Sequence, residues 1–238
     1  MTTSKSKNYL VTIAKIAVVF IIIIGSYFGF SHNNGNTTIE TIVGQMSTIE
    51  LPDESIVQLN ALSSIKYPEK NWKENRKIKL KGEAYFKVAK GKKFDVETSL
   101  GTISVLGTIF NVKERDNYLE VTCYHGMVSL TVNEEQIFLR AGDAVEIANE
   151  KIINKKVGAL EPNWIHNRSL FINTPYSKVI QEFEWQYGVT INTKNIDDTK
   201  FFTGNFAHSD LKNALRSITL PMHIKYTIQD NTIVLMNK

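Results

Sequence analysis

The residues with chemistry to offer are five histidines, one cysteine and a few neighbouring acids in a chain of 238 residues. Cys123 and His125 alternate along an apolar run, so one strand face would present a thiolate and an imidazole to a metal. Two ligands are too few for a structural zinc, which takes four, and a free cysteine more often packs as a small hydrophobe. His32, His166, His208 and His223 are scattered, without HExxH or paired-histidine spacing. Asp95 with Glu97, and Glu134 with Glu135, could supply the acid and base of a glycosidase. In polar alternation such pairs form a wet face instead. Glu83, in the run GEAYF, is expected to point outward among lysines in a local ion pair. There is no phosphate loop and no GxGxxG. The expectation is a protein that is not an enzyme, with no catalytic residue, metal site or cofactor.

What remains is aromatic. Trp185 falls off the apolar stripe of its helix, and with Phe201 and Phe202 it is a candidate for contact with a protein partner. Packing in a core or between domains, together with Trp164, is the alternative.

These side chains would be positioned mostly by strands. From 39 to 149 the pattern has a period of two. In 77–88, Ile78, Leu80, Ala84, Phe86 and Val88 fall on one face, and Lys77, Lys79, Lys81, Glu83, Tyr85 and Lys87 on the other. If this run pairs with 94–98, Asp95 and Glu97 meet the lysine row. Further runs at 55–59, 103–106, 108–112, 119–125, 127–132, 136–139 and 144–147, punctuated by Gly, Asn or Asp, predict an all-β domain of sandwich, barrel or solenoid type. The lysine row reads as a solvated face that discourages edge aggregation, or as a site for an anionic glycan or lipid.

Residues 150–163 read as a linker, and 164–238 as a small α+β domain in the order β, α, β, β, α, β, β. Thr174 and Pro175 signal the first helix start. Tyr176, Val179, Ile180, Phe183 and Tyr187 share a helical face, and Gly188 ends it. Ser209 is the expected cap of a second helix, and 224–228 with 232–236 form a closing hairpin.

Ahead of all this lies an apolar run at 10–30, from Leu10 to Phe30, with Lys15 as its one charge. Twenty-one helical residues span about 31 Å, close to the ~30 Å hydrocarbon core of a bilayer. Lys15 lies near the start, where its amine can snorkel outward. Lys5 and Lys7 precede the run, and no Lys or Arg follows until Lys66. The positive-inside rule then gives a short cytoplasmic tail at 1–9, a transmembrane helix at 10–30, a polar linker at 31–38 and an exported remainder. A cleaved signal peptide ending near Ser31 is the alternative, and it exports the same residues. The net charge of +4 is interspersed, so no basic stripe for nucleic acid is present. A lone cysteine forms no internal disulfide, and with the short anchor it suggests a bacterial envelope protein.

Several motifs go further. Leu51-Pro52-Asp53, SIVQLNALS at 55–63, RKIKLKGEAYFKV at 76–88, Phe94-Asp95-Val96, VLGTIFNV at 105–112 and Gly126-Met127-Val128 together resemble the FecR-like family of membrane-bound sigma-factor regulators in its Bacteroidetes form. Within those motifs Asp53, Asn60, Gly82, Glu83, Phe86, Gly107, Thr108, Phe110, Asn111 and Val112 carry the match. Residues 164–238 are similar to the secretin and TonB short N-terminal domain. The resemblance implies a mainly β architecture: a single transmembrane helix, a solenoid- or sandwich-like β domain, then the small α+β domain. It implies a signal relay at the inner membrane. The periplasmic part would meet the signalling domain of a TonB-dependent outer-membrane transporter for iron or another nutrient, and the output would be an extracytoplasmic-function (ECF) sigma factor. Glu54 stands where the family usually has glycine, so the turn is expected to need none. Fewer than ten residues precede the apolar run, so the sigma factor would be reached through a missing or separate cytoplasmic domain. The competing expectation is a non-signalling envelope module that binds glycan or peptidoglycan through the β domain.

Overall fold

A computed structural model describes residues 35–149 and 151–237. The expected anchor, with Leu10, Lys15 and Phe30, lies outside the described residues. Among the described residues no helix is long and apolar enough to cross a membrane.

Thirteen strands come first among the described residues: β1 (Asn36–Glu40), β2 (Ser47–Glu50), β3 (Ile56–Leu59), β4 (Ser64–Pro68), β5 (Arg76–Lys87), β6 (Phe94–Glu97), β7 (Thr102–Val105), β8 (Ile109–Arg115), β9 (Tyr118–His125), β10 (Met127–Val132), β11 (Glu135–Arg140), β12 (Asp143–Ala148) and β13 (Lys151–Lys156). They make one curled half-barrel sheet whose turning point is β5. The first half of β5 pairs with β4 and, in parallel, with β6, which leads on to β7, β10 and β11. Its second half pairs with β3 and β8, leading to β9, β12 and β13. The two limbs close on one core in which Phe86 stacks on Phe110 at 4.9 Å, and Trp72 meets Phe94 edge-on at 5.6 Å. The ladders from β2 to β13 are antiparallel apart from β5 with β6, so the stacked coils of a solenoid are not what this pairing shows.

The strand changes limb at Gly82, where φ is +94°. A Cβ there would lie 2.7 Å from both Cα and Cβ of Ser63, closer than any side chain tolerates. Up to Gly82 the burial of β5 alternates as the sequence predicts; beyond it, residues 82–86 are buried on both faces. Two segments expected to be linkers carry strands. β1 (Asn36–Glu40) begins inside the segment 31–38, and Lys151–Lys156 within 150–163 pairs along the whole of β12. The all-exposed, lysine-bearing β13 lacked a half-buried alternation to announce it.

The turn at Glu54 corrects another expectation. Its φ is +66°, the left-handed conformation in which a Cβ costs about 1 kcal/mol or more. The turn does favour glycine. Asp53 compensates by accepting from the Ser55 amide at 3.2 Å and from its hydroxyl at 3.0 Å. Glu54→Gly is expected to stabilise the protein by about 1 kcal/mol and raise Tm by roughly 2–4 °C, read by thermal unfolding.

After a 3-10 turn (Asn163–His166) come β14 (Arg168–Pro175), α1 (Tyr176–Tyr187), β15 (Thr190–Asn195), β16 (Phe201–Ala207), α2 (Leu211–Thr219), β17 (Ile224–Gln229) and β18 (Thr232–Asn237). β14 pairs with β16; β15, β18 and β17 form a second small sheet. Tyr176, Val179, Ile180 and Phe183 bury the α1 stripe against Phe202, Phe206 and Leu215. Gly188 follows α1 as its C-cap. The caps differ from expectation. Thr174 donates to the Ile172 carbonyl rather than capping α1, and Asp210, not Ser209, caps α2 by accepting from the Asn213 amide at 3.0 Å. The second helix starts later than the serine implied.

Candidate functional site

Glu83 is buried, with 5% of its surface exposed, and does not point outward among lysines. The reason is the second face of β5. Residues far along the chain cover it, so a position that reads as wet in the local pattern is dry. The carboxylate accepts from the side-chain amides of Asn60 at 2.9 Å and Asn111 at 3.0 Å, and the Lys113 ammonium lies 3.6 Å away. Three motif residues, Asn60, Glu83 and Asn111, thus form one polar cluster on β5, β8 and the end of β3.

The covering residues come from the small domain. Lys113 Nζ donates to Glu182 of α1 at 2.6 Å. Gln186, one turn later, donates to Asn60 at 3.1 Å and to Glu182 at 3.0 Å. Trp164 Nε1 donates to the Asn111 side-chain oxygen Oδ1 at 3.2 Å. Ser169 on β14 lies 3.4 Å from Glu182 and 2.9 Å from His208 Nε2. Burial alone would raise the Glu182 carboxyl, but the Lys113 charge and hydrogen bond outweigh it and hold the pKa at about 2. Burial works against the Lys113 ammonium too, yet Glu182 and Glu83 hold it above its ordinary value. His208 is pushed down by burial, with the Glu182 charge opposing. An ammonium shared by two buried carboxylates therefore joins the two domains. The net stability from such a buried pair is small, but removing one member leaves the other charge uncompensated at a large cost.

Trp185 lies beside the cluster, half-buried, with the Arg115 guanidinium 4.6 Å and the Lys113 ammonium 5.5 Å from its ring. Of its two expected uses, packing between domains is the one the contacts describe. Arg115 also donates to the carbonyls of Leu62 and Ala61, both at 2.6 Å. A second tie runs from Lys178 of α1 to Glu146 of β12 at 3.2 Å, with the ammonium 3.9 Å over the Tyr118 ring. Between the ties lies a cleft of about 390 Å³ lined by Glu120, Ile153, Leu170, Asn173 and Gln181 among others.

The other predicted positions spread out. Phe86, Phe110 and Val112 are core. Thr108 donates to the Met127 carbonyl at 3.0 Å beside Gly107, and Asp53 pairs with Arg76. Phe201 is 60% exposed. Phe202 is closed to a partner at 2% exposure, because alternation along β16 turns it inward against Phe171 and Tyr176. Asp95 and Glu97 do meet lysines, Glu97 pairing with Lys77 at 2.8 Å and Asp95 with Lys93 at 3.0 Å. Lys79 and Lys81 line an open cleft of about 610 Å³ that also holds Glu97, Glu114 and Asp116, so its charge is mixed. Cys123 and His125 do not share a face. A register shift between Ile109 and Phe110 buries the thiol, 3.6 Å from the Gly126 carbonyl, and leaves the imidazole exposed. Burial pushes the Cys123 thiol up to about 11. Among the described residues no group of three or more His, Cys, Asp or Glu is placed to hold a metal ion.

Lys113, Glu182 and Gln186 were not legible as site residues. The only trace was two polar side chains, one helical turn apart, bordering the apolar stripe of α1.

A family model described as FecR protein matches residues 37–129, and one described as FecR, C-terminal, matches 168–235. Two crystal structures of a candidate anti-sigma factor from Parabacteroides distasonis ATCC 8503 are similar. Their sequences are 27% and 28% identical, each covers 85% of this chain and 99% of its own, and each has a TM-score of 0.79. No curated protein matches.

Proposed function

This chain belongs to the FecR family, its two matched regions together spanning most of the described residues, and we propose that it is a single-pass inner-membrane regulator. Residues 10–30 cross the membrane with the N-terminus in the cytoplasm. Residues beyond them work in the periplasm, where the small domain binds the signalling domain of a TonB-dependent transporter. The output is control of an ECF sigma factor across the membrane. A regulatory role is what the family and the similarity to a candidate anti-sigma factor support; the transporter and the sigma factor are the finer part of the proposal.

One observation carries it. Lys113, held by Glu83 and by Glu182, fastens the small domain to the β domain through buried charge. Whatever grips the exposed rim of the small domain, where Ile172 is 73% and Phe201 is 60% exposed, therefore also loads the β domain. Exposed aromatic and branched side chains on a rigid support are what a protein partner buries first.

The test is crosslinked capture from intact cells with a tag after Lys238, followed by mass spectrometry. Recovery of a TonB-dependent transporter is expected, falling about tenfold in Ile172→Glu with Phe201→Glu, a loss of roughly 1.4 kcal/mol. Both residues are exposed, so thermal unfolding of the variant should match the parent. Recovery of cell-wall fragments alone, or of nothing, would sink the relay.

A further inference from the structure

The registers of the first limb bring one end of every strand to a common rim. Arg76 at the start of β5 lies opposite Phe94, Phe94 opposite Val105, and Met127 opposite Arg140. The Arg76 guanidinium also draws the 88–93 segment to this rim, donating to the carbonyls of Ala89 at 2.9 Å and Lys92 at 2.6 Å. β4 runs antiparallel to β5 with Lys66 opposite Lys79, so its far end, Pro68, comes to the rim as well. Just past it Glu69 accepts from Thr37 at 2.8 Å. The chain thus enters the β domain at this rim.

Where the 88–93 segment crosses it, the rim is basic and greasy. Lys90, Lys92 and Lys93 fall within four residues and are all exposed. Only Lys93 has an acidic partner among the described residues. Beside them Leu106 is 65%, Met127 56% and Phe138 58% exposed, around an open groove of about 760 Å³ whose walls include Lys90 and Lys93. Lysines interleaved with exposed apolar side chains are the chemistry that settles on an anionic lipid surface, the ammonium groups on headgroup phosphates and the apolar groups in the interface.

Distance selects the occupant. Six chain steps separate Phe30, the end of the apolar run, from Asn36, the start of β1. Even fully extended they reach only about 20 Å. We propose that this rim lies on the anionic phospholipid surface of the membrane that residues 10–30 cross; the inference rests on the anchored reading above. The β domain is then held at the bilayer by two attachments, the spanning run and the rim.

The experiment uses the full chain in vesicles of phosphatidylcholine, with and without phosphatidylglycerol. An environment-sensitive fluorophore is placed at Met127→Cys on the rim or at Glu135→Cys at the opposite end of the sheet, with the unlabelled parent, whose cysteine is buried, as blank. Spin-labelled lipid is expected to quench the Met127 probe in anionic vesicles only, and to leave the Glu135 probe bright. Quenching should fall with salt, and with Lys90→Glu, Lys92→Glu and Lys93→Glu by about fivefold per lysine. A Met127 probe that stays bright, or is quenched equally in neutral vesicles, overturns the proposal, as would capture of an acidic protein by these lysines with the probe still bright. Alkaline carbonate extraction separates the two readings. A chain that resists extraction but is unquenched loses only the docking, whereas a chain that is stripped off loses the anchor as well.

Discussion

Lys113→Met is expected to lower stability by about 3 kcal/mol, the low end of what removing one partner of a buried pair costs, because Lys113 keeps 23% of its side chain exposed. The loss comes from stranding Glu182 and, at longer range, Glu83 without their paired ammonium, the Arg115 charge acting only from further off. Lys113→Met combined with Glu182→Gln should cost less than Lys113→Met alone, since the amide needs no counter-charge and can still accept from Gln186. A double-mutant cycle read by urea unfolding isolates that coupling. The pH dependence has a definite sign. Glu182 has a folded pKa of about 2, below its unfolded value near 4.3, so its contribution is complete above about pH 4.3 and is lost as pH falls toward 2. The Lys113→Met variant should move the other way. Its uncompensated carboxylate takes up a proton as pH falls, and the gap to the parent closes. A parent and variant with equal midpoints at pH 7 would show that the pair does not hold the domains.

Gly82→Ala is expected to cost about 3 kcal/mol or more, and Gly142→Ala about 1 kcal/mol. Both glycines have positive φ, +94° and +87°, so both substitutions carry the same left-handed strain. Only at Gly82 would the new Cβ clash with backbone, 2.7 Å from Ser63 Cα. At Gly142 the nearest atom is the Val157 carbonyl oxygen at 3.6 Å. The difference between the two urea midpoints therefore measures the close approach at the turning point of β5, free of the shared strain. Equal losses would mean that Ser63 yields.

Most strands, and both helices of the small domain, were legible because alternation and the 3.6-residue stripe are local signals; the short β2 and β4 were not among the expected runs. Ile78 and Leu80 sit where their period put them, as do Val179 and Phe183. Glu83 and Tyr85 were misread for a non-local reason. Their neighbours at Lys77, Lys79 and Lys81 are partly or fully exposed, and nothing within ten residues says that the sheet face changes solvent at Gly82. β13 was hidden because an edge strand exposed on both faces has no hydrophobic period. The family motif marked Asn60, Glu83 and Asn111 without giving their purpose. Their shared function appears only when α1 brings Gln186 and Glu182 to them. Phe202 was offered to a partner as one of an aromatic pair, yet adjacent residues on a strand face opposite ways, and only Phe201 is outside.

The Asn60 to Gln186 hydrogen bond spans 126 positions, and this has a consequence for the order of assembly. Chains are made from the N-terminus, and domains tend to fold as they emerge. The strands around β5 can close their core while Glu83, Asn60 and Asn111 still face water, solvated and at little cost. The carboxylate loses its water only when α1 arrives with Glu182 and Gln186, over a loop long enough to make that step slow. Joining the two domains is then the last event of folding, and the one at which a missing cation would first be felt.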